Sequence, residues 1–265
     1  MNRDVIGILK ARGLRPERRL GQYFLTDEGV ATRMITYAAV MPNDIVLEIG
    51  AGAGSLTELL NRAAKRVYAV EKDQALAALL RERFETAASV TEILEGDVLE
   101  LSLPKFDKVV ASIPFMISAR LTYKLLLHEA GFGLAVLLIQ HEFAEKLVAA
   151  PRTEAYGRLS VVAQALTDVE VLETVPRGAF YPPAPVIGAV VRLQESAAKR
   201  DLIGDKAQFL EFVTAAFAQR RKKLKAVFKG LYGEEHARCA DLEQRPEELT
   251  PEAFIRLALW LTSKP

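Results

Sequence analysis

Three carboxylates, a glycine-rich turn and a Ser-Ile-Pro-Phe tetrapeptide are the residues with chemistry in them. Glu48, Glu71 and Asp97 each end or closely follow an apolar run: IVLEIGA, RVYAVEK and VTEILEGD. Directly after Glu48 the chain reads Gly50-Ala51-Gly52-Ala53-Gly54. Glycine permits a tight turn and lets backbone N–H groups approach a ligand at a helix N-terminus. A dinucleotide pyrophosphate is one occupant of such a turn. The six-residue fingerprint, however, asks for its third glycine at position 55, where Ser55 stands. The turn also carries no Lys or Arg, and Glu48 sets a carboxylate beside it. Glu71 occupies the place of an acid that takes ribose hydroxyls. Asp97 is positioned to accept a hydrogen bond from an adenine amino group. Together these favour an adenosine bearing an amino-acid sulfonium, S-adenosylmethionine, over a nicotinamide dinucleotide.

The tetrapeptide Ser112-Ile113-Pro114-Phe115 suggests the acceptor of the methyl group. The lone pair of an exocyclic base amine is delocalised into its ring, which makes it a poor nucleophile. A side-chain oxygen at Ser112 and the Ile113 carbonyl can accept both N–H bonds and draw the nitrogen toward tetrahedral geometry. Pro114 fixes the turn that aims the carbonyl, and Phe115 offers a face for an extruded base. The remaining work is alignment of nitrogen with the methyl group, which needs no strong general base. His128, His141 and His236 are scattered, and with Cys239 the lone cysteine there is no spacing for a structural metal. No metal site is expected.

These residues need elements to hold them. β-branched and aliphatic runs at Ile45–Ala51, Arg66–Lys72, Val90–Asp97, Phe106–Ile113 and Phe132–Gln140 read as strands. Helical patterns at Ser55–Ala64, Gln74–Phe84 and Ala119–Leu127 intervene. Such alternation predicts an α/β, Rossmann-like parallel sheet with helices on both faces. Further on, LSVVAQAL reads as a helix, and Asp168–Val175 and Val186–Leu193 as strands close enough to pair antiparallel. The Phe180–Val186 stretch, FYPPAPV, is too rich in proline for regular sheet. The polar Gln194–Asp201 resembles a boundary, so a catalytic domain over 1–194 and a small all-α domain over 195–265 are expected.

Of the 265 residues, half are hydrophobic and the formal net charge is +1. That average hides two basic runs. Lys10, Arg12, Arg15, Arg18 and Arg19 crowd the segment 1–25, and Arg220, Arg221, Lys222, Lys223, Lys225 and Lys229 crowd QRRKKLKAVFK. Two such runs flanking a catalytic domain point to a polyanion partner. No apolar stretch approaches the ~18–20 residues of a membrane span, and the first residues lack a signal-peptide pattern. A cytoplasmic protein in a reducing compartment is expected, with no membrane association.

Taken jointly, these motifs resemble the ribosomal RNA adenine dimethyltransferase family over nearly the whole length. RRLGQYFLTD is similar to its N-terminal GQNFL motif. LEIGAGAGSLTELL, VEKD and EGDVLE are similar to its cofactor motifs, and SIPF-MIS to its catalytic loop. IQHEFAEKLVAAPRTEAYGRLSV, FYPPAPVIGAVVRL and FAQRRKKL resemble later family segments. The resemblance implies a class I methyltransferase sheet and a monomer that binds S-adenosylmethionine through Gln22, Tyr23, Leu25, Glu48, Gly50, Gly52, Glu71, Asp97 and Ser112. It implies catalysis at Ser112, Ile113, Pro114 and Phe115, a base pocket walled by Phe180, and RNA contacts from Arg220, Arg221, Lys222 and Lys223. The implied reaction is dimethylation at N6 of two adjacent adenines near the 3′ end of small-subunit ribosomal RNA, within the immature small subunit. Tyr23 stands where the family usually has Asn, Ser112 where it has Asn, and Phe115 where it has Tyr. These departures motivate one alternative, an RNA-binding assembly factor that has lost catalysis; a large-subunit RNA enzyme and a DNA adenine methyltransferase, which share the chemistry, are two others.

Overall fold

The computed structural model describes residues 5–17, 19, 21–227 and 240–262; Arg18, Lys229, His236 and Cys239 lie outside them. The N-terminal part runs α1 (Val5–Ala11), β1 (Phe24–Leu25), α2 (Glu28–Tyr37), β2 (Ile45–Ile49), α3 (Ser55–Ala63), β3 (Arg66–Glu71), α4 (Gln74–Phe84) and β4 (Thr91–Glu95). It continues through β5 (Lys108–Ser112), α5 (Ser118–Leu126), β6 (Leu134–Gln140), α6 (His141–Val148), α7 (Arg158–Leu166) and β7 (Thr167–Val175). Then come β8 (Phe180–Tyr181), β9 (Gly188–Glu195), α8 (Ala197–Ile203), α9 (Lys206–Phe217) and α10 (Pro251–Thr262).

Seven strands form one sheet in the order β4-β3-β2-β5-β6-β9-β7. The pairs β4–β3, β3–β2, β2–β5 and β5–β6 are parallel. Both sheet faces carry helices, so the central strands are apolar throughout rather than alternating. In β6 every residue from Leu134 to Ile139 is buried, and Val46, Leu47, Val109, Val110 and Ala111 are wholly buried in β2 and β5. Removing such a side chain, as in Leu47→Ala, carries a cost of about 2–5 kcal/mol for the lost transfer energy and the cavity. The five expected parallel strands thus form, each one to three residues shorter than expected; of the two later ones, Asp168–Val175 gains Thr167 and Val186–Leu193 shifts to Gly188–Glu195.

The order of the strands dictates where a ligand can sit. From β2 the chain crosses to β3 on one side, whereas β5 lies on the other side of β2. The connections diverge there and leave a crevice beyond the carboxyl ends of β2 and β5. The glycine turn leaves β2 and the Ser-Ile-Pro-Phe segment leaves β5, so both open onto that crevice. A separate two-stranded antiparallel ribbon pairs Phe24 with Tyr181 and Leu25 with Phe180. It ties the N-terminal motif to the proline-rich segment.

The chain divides into two compact units, Met1–Ala144 with Glu170–Leu193, and Glu145–Val169 with Gln194–Pro265. The second unit therefore takes in α7 as well as the helices beyond residue 194. Its interior is aromatic: Phe217 stacks on Phe254 at 5.7 Å, with Phe212 and Tyr156 at their edges. Tyr156, of the YGRLSV segment, is wholly buried and donates its hydroxyl to the Leu249 carbonyl at 2.6 Å. Among the described residues no helix is long and apolar enough to cross a membrane.

Candidate active site

A cleft of about 310 Å³ opens at the strand crossover within the first unit. Its walls bring together Gln22, Tyr23, Leu25, Glu48, Gly50, Gly52, Glu71, Asp97, Ser112, Ile113, Pro114, Phe115 and Phe180. These residues come from six separate stretches of sequence. Arg220, Arg221, Lys222 and Lys223 belong to the other unit.

The floor is made by the glycine turn. Gly50 adopts φ +72° and Gly52 φ +59°, a region that L side chains rarely enter. Space is short as well. A Cβ on Gly50 would lie 3.2 Å from Pro114 Cδ and 3.3 Å from the Ser112 carbonyl oxygen, and one on Gly52 would lie 3.0 Å from the Phe24 ring. The turn and the tetrapeptide are thus in van der Waals reach of each other. The N–H groups of Gly50 and Ala51 bond back to the Val70 carbonyl, and the Gly52 N–H donates to Glu71 Oε2 at 2.8 Å.

The three acids occupy different electrostatic settings. Glu48 is 1% exposed, and its Oε2 has no hydrogen-bond partner. Burial, reinforced by the nearby Glu71 carboxyl, pushes Glu48 up to about 8; the buried Thr57 beside it offsets only part of this. Glu71 is also raised by burial, against the N–H groups of Asp73 and Gly52 that stabilise its charge. Asp97 goes the other way. The Leu99 N–H and the Lys72 ammonium, each at 2.9 Å, hold it below the usual carboxylate range.

The Ser112–Phe115 segment is set by β5. Ser112 is the last strand residue, opposite Leu138 of β6, and the Ile113 N–H donates to the Leu138 carbonyl at 3.0 Å. Among the described residues nothing is hydrogen-bonded to the Ser112 hydroxyl. Pro114 turns the chain into a short 3₁₀ segment, Phe115–Ile117. Phe115 stacks on Tyr23 with ring centres 6.2 Å apart and meets Phe180 edge-on at the same distance. Tyr23 thereby fills the place of the usual amide with an aromatic surface rather than a side-chain amide.

Several lining residues escaped the sequence reading. Phe24, Lys72, Asp73, Met116 and Ile117 all face the cleft. Asp73 had a legible signal, an acid immediately before the helical QALAALL. It caps α4 by accepting from Ala75 and Leu76, and its other oxygen accepts from Gln22 Nε2 at 3.0 Å. Gln22 in turn accepts from the Glu17 N–H at 2.8 Å. Gln22 is thus anchored beside the cleft by its side chain. The Lys72–Asp97 pair had no such signal, since only the β3–β4 register brings it together.

A largely parallel sheet with this crossover, a glycine turn flanked by acids and a Ser-Ile-Pro-Phe segment beside it fit a class I methyltransferase. Comparison with known proteins gives the family. Residues 13–263 match the family model for ribosomal RNA adenine dimethylase, and the chain belongs to that family, whose members use S-adenosylmethionine. It is 41% identical to a probable ribosomal RNA small subunit methyltransferase A of Methanosarcina mazei, over 89% of this chain and 90% of that one. The protein of the same name from Halobacterium salinarum is 40% identical over 97% of this chain and 93% of its own. Among solved structures, a dimethyladenosine transferase from Plasmodium falciparum superposes with a TM-score of 0.80 at 27% identity, covering 90% of this chain and 97% of that one. The 23S rRNA methyltransferase ErmE gives 0.67, also at 27% identity, over 91% of this chain and 100% of its own.

The cleft suits this cofactor on its own geometry. The buried Glu48, with one carboxylate oxygen unpartnered among the described residues, lines the cavity; two glycines leave room for a close backbone approach, and the turn carries no cation to receive phosphate.

Proposed function

We propose that the protein dimethylates N6 of two adjacent adenines near the 3′ end of small-subunit ribosomal RNA, acting on the immature small subunit. The names of the full-length relatives support the small-subunit substrate. The observation that carries the chemistry is the approach of the Gly50 turn to the Ser112 carbonyl, which puts cofactor floor and amine acceptors in one cleft.

Bound S-adenosylmethionine supplies an electrophilic methyl group. The chain's own residues prepare the nucleophile. Ser112 Oγ and the Ile113 carbonyl accept the two N–H bonds of the adenine amine, which frees its lone pair for attack. Phe115 and Phe180 hold the extruded base by stacking and edge contact. After transfer the amine gives up one proton to solvent, and the second methylation repeats the step with a single N–H left to accept. Serine reaches less far than the family's asparagine and donates as well as accepts. The predicted consequence is slower alignment rather than lost activity.

The test is to incubate the protein with unmodified small subunits and labelled S-adenosylmethionine, then map the methylated nucleosides. Dimethyladenosine at two neighbouring positions near the 3′ end supports the proposal. No label on small-subunit RNA, with label appearing in parallel reactions on large-subunit RNA or DNA, contradicts it. Tight binding of subunits and cofactor with no transfer would instead favour the assembly-factor alternative.

A further inference from the structure

Among the described residues, Glu48 is a wholly buried acid with no cation paired to it. Its Oε2 lacks a hydrogen-bond partner, and the side chain lines the cavity. Every element packed around it fails to supply a cation. From β3 it faces the Glu71 carboxyl; from α3, the neutral Thr57. β5 places Val110 opposite it in the register. Lys72 also lines the cleft, but its ammonium is 2.9 Å from Asp97, which it neutralises. An ionised carboxylate so placed has lost its hydration for only the partial offset that Thr57 gives, and the usual response of such a group is to keep its proton.

A ligand changes that balance. The methyl donor of this family carries two cationic groups, a sulfonium and an ammonium, against one carboxylate. A positive charge brought within about 4–6 Å of a buried acid favours its ionised form. We propose that Glu48 holds a proton in the empty cleft and releases it to solvent as the cationic donor enters, so that cofactor capture is coupled to proton release. Glu48 is then a titrating counter-charge rather than a fixed hydrogen-bond acceptor. No bond to the donor is made or broken; one O–H bond of the carboxyl is exchanged for protonated buffer. The inference rests on the family's cofactor and not on the identity of the RNA. Burial that raises Glu48 to about 8 places the effect near neutral pH.

Isothermal calorimetry of S-adenosylmethionine binding, at pH 7 in two buffers of different ionisation enthalpy, counts the protons. Wild-type protein should release nearly one proton more than Glu48→Gln. Its affinity should also rise by up to about tenfold per pH unit between pH 6 and 7 relative to that variant. Subtraction removes any proton lost by the donor's own ammonium. Glu48→Asp, which keeps an ionisable group, should restore the release. If Glu48→Gln fails to fold, infrared spectroscopy of the wild type replaces it. A protonated-carboxyl band in the free protein that vanishes on adding S-adenosylmethionine supports the inference, and a band that persists overturns it. Equal proton counts in wild type and Glu48→Gln also overturn it while leaving the cofactor assignment intact. Wild-type protein that binds no donor at all overturns both.

Discussion

Ser112 and Glu48 line the same cleft, and among the described residues neither the Ser112 hydroxyl nor Glu48 Oε2 has a hydrogen-bond partner. For Ser112 the prediction is kinetic. Ser112→Ala should lower the single-turnover methylation rate on the order of 100-fold, the scale for removing one preorganised hydrogen bond to the reacting group. Affinity for S-adenosylmethionine, read by calorimetry, should change much less. Ser112→Asn should be at least as fast as wild type, because the longer side chain reaches the amine better. For Glu48 the prediction concerns stability. Its folded-state value of about 8 lies above the ordinary 4.5, so the folded protein binds the proton more tightly than the unfolded chain. The resulting stability is fully present below about pH 4.5 and is lost as pH rises through about 8. In melting curves without cofactor, wild type should therefore lose Tm between pH 5 and pH 8 relative to Glu48→Gln. A constant gap would remove the claim that Glu48 is protonated when folded. The types of these residues were legible in the sequence, and so was the kind of ligand they suit. What was not legible was the split between the acids. Glu48 and Asp97 look alike as strand-end carboxylates, yet burial raises one while Lys72 and the Leu99 N–H lower the other.

At the scale of elements, the turn after β2 depends on two constraints at once, a positive φ and close contact with Pro114. Gly50→Ala must meet both, and the atoms in its way belong to the proline ring and the backbone rather than to a flexible side chain. We expect it to weaken cofactor binding at least tenfold while the protein stays folded; unchanged affinity by calorimetry would contradict the account of the turn. The α4 cap offers a second test. Asp73→Ala should cost about 1 kcal/mol of stability from the lost cap, and it should also raise hydrogen exchange around Gln22, whose side chain loses its partner. Exchange confined to α4 would show that Gln22 is held by other contacts. The parallel strands were readable because burial on both faces demands unbroken β-branched and aliphatic runs. The β1–β8 ribbon was not. Each strand is two residues long, and Leu25 meets Phe180 across most of the first unit's sequence, so no local pattern marks the pairing. For the same reason α7 read as a neighbour of the strands, although it packs with the helices of the second unit. Its buried face, including Val161, Val162 and Leu166, looks no different in sequence from one that covers a sheet.

For the whole molecule, the balance of charge decides how RNA can be held. The basic run at Arg220–Lys225 contains no acid in sequence, but folding supplies them. Arg220 bonds Glu247 at 2.7 Å, and Lys223 and Lys225 share Glu243. Among the described residues Arg221 and Lys222 have no acidic partner. In the N-terminal run Arg12 pairs with the distant Glu82 and Arg19 with Glu17. The phosphate-binding role proposed for this cluster should accordingly fall mainly on Arg221 and Lys222. Replacing that pair by Ala should reduce the slope of log affinity against log salt by about 1.4–1.8, near 0.7–0.9 per phosphate contact. Replacing Lys223 and Lys225 should reduce it less, and an equal effect from both pairs would mean that Glu243 releases its lysines on binding. The central claim, that one cleft holds the methyl donor and turns an adenine amine toward it, is tested most directly by single-turnover transfer of radiolabelled methyl groups to unmodified small subunits, comparing wild type with Ser112→Ala. The account predicts rapid labelling of adenine N6 by the wild type and a rate lowered on the order of 100-fold in the variant at saturating cofactor. Equal rates in the two proteins, or label on any atom other than an adenine exocyclic nitrogen, would contradict it.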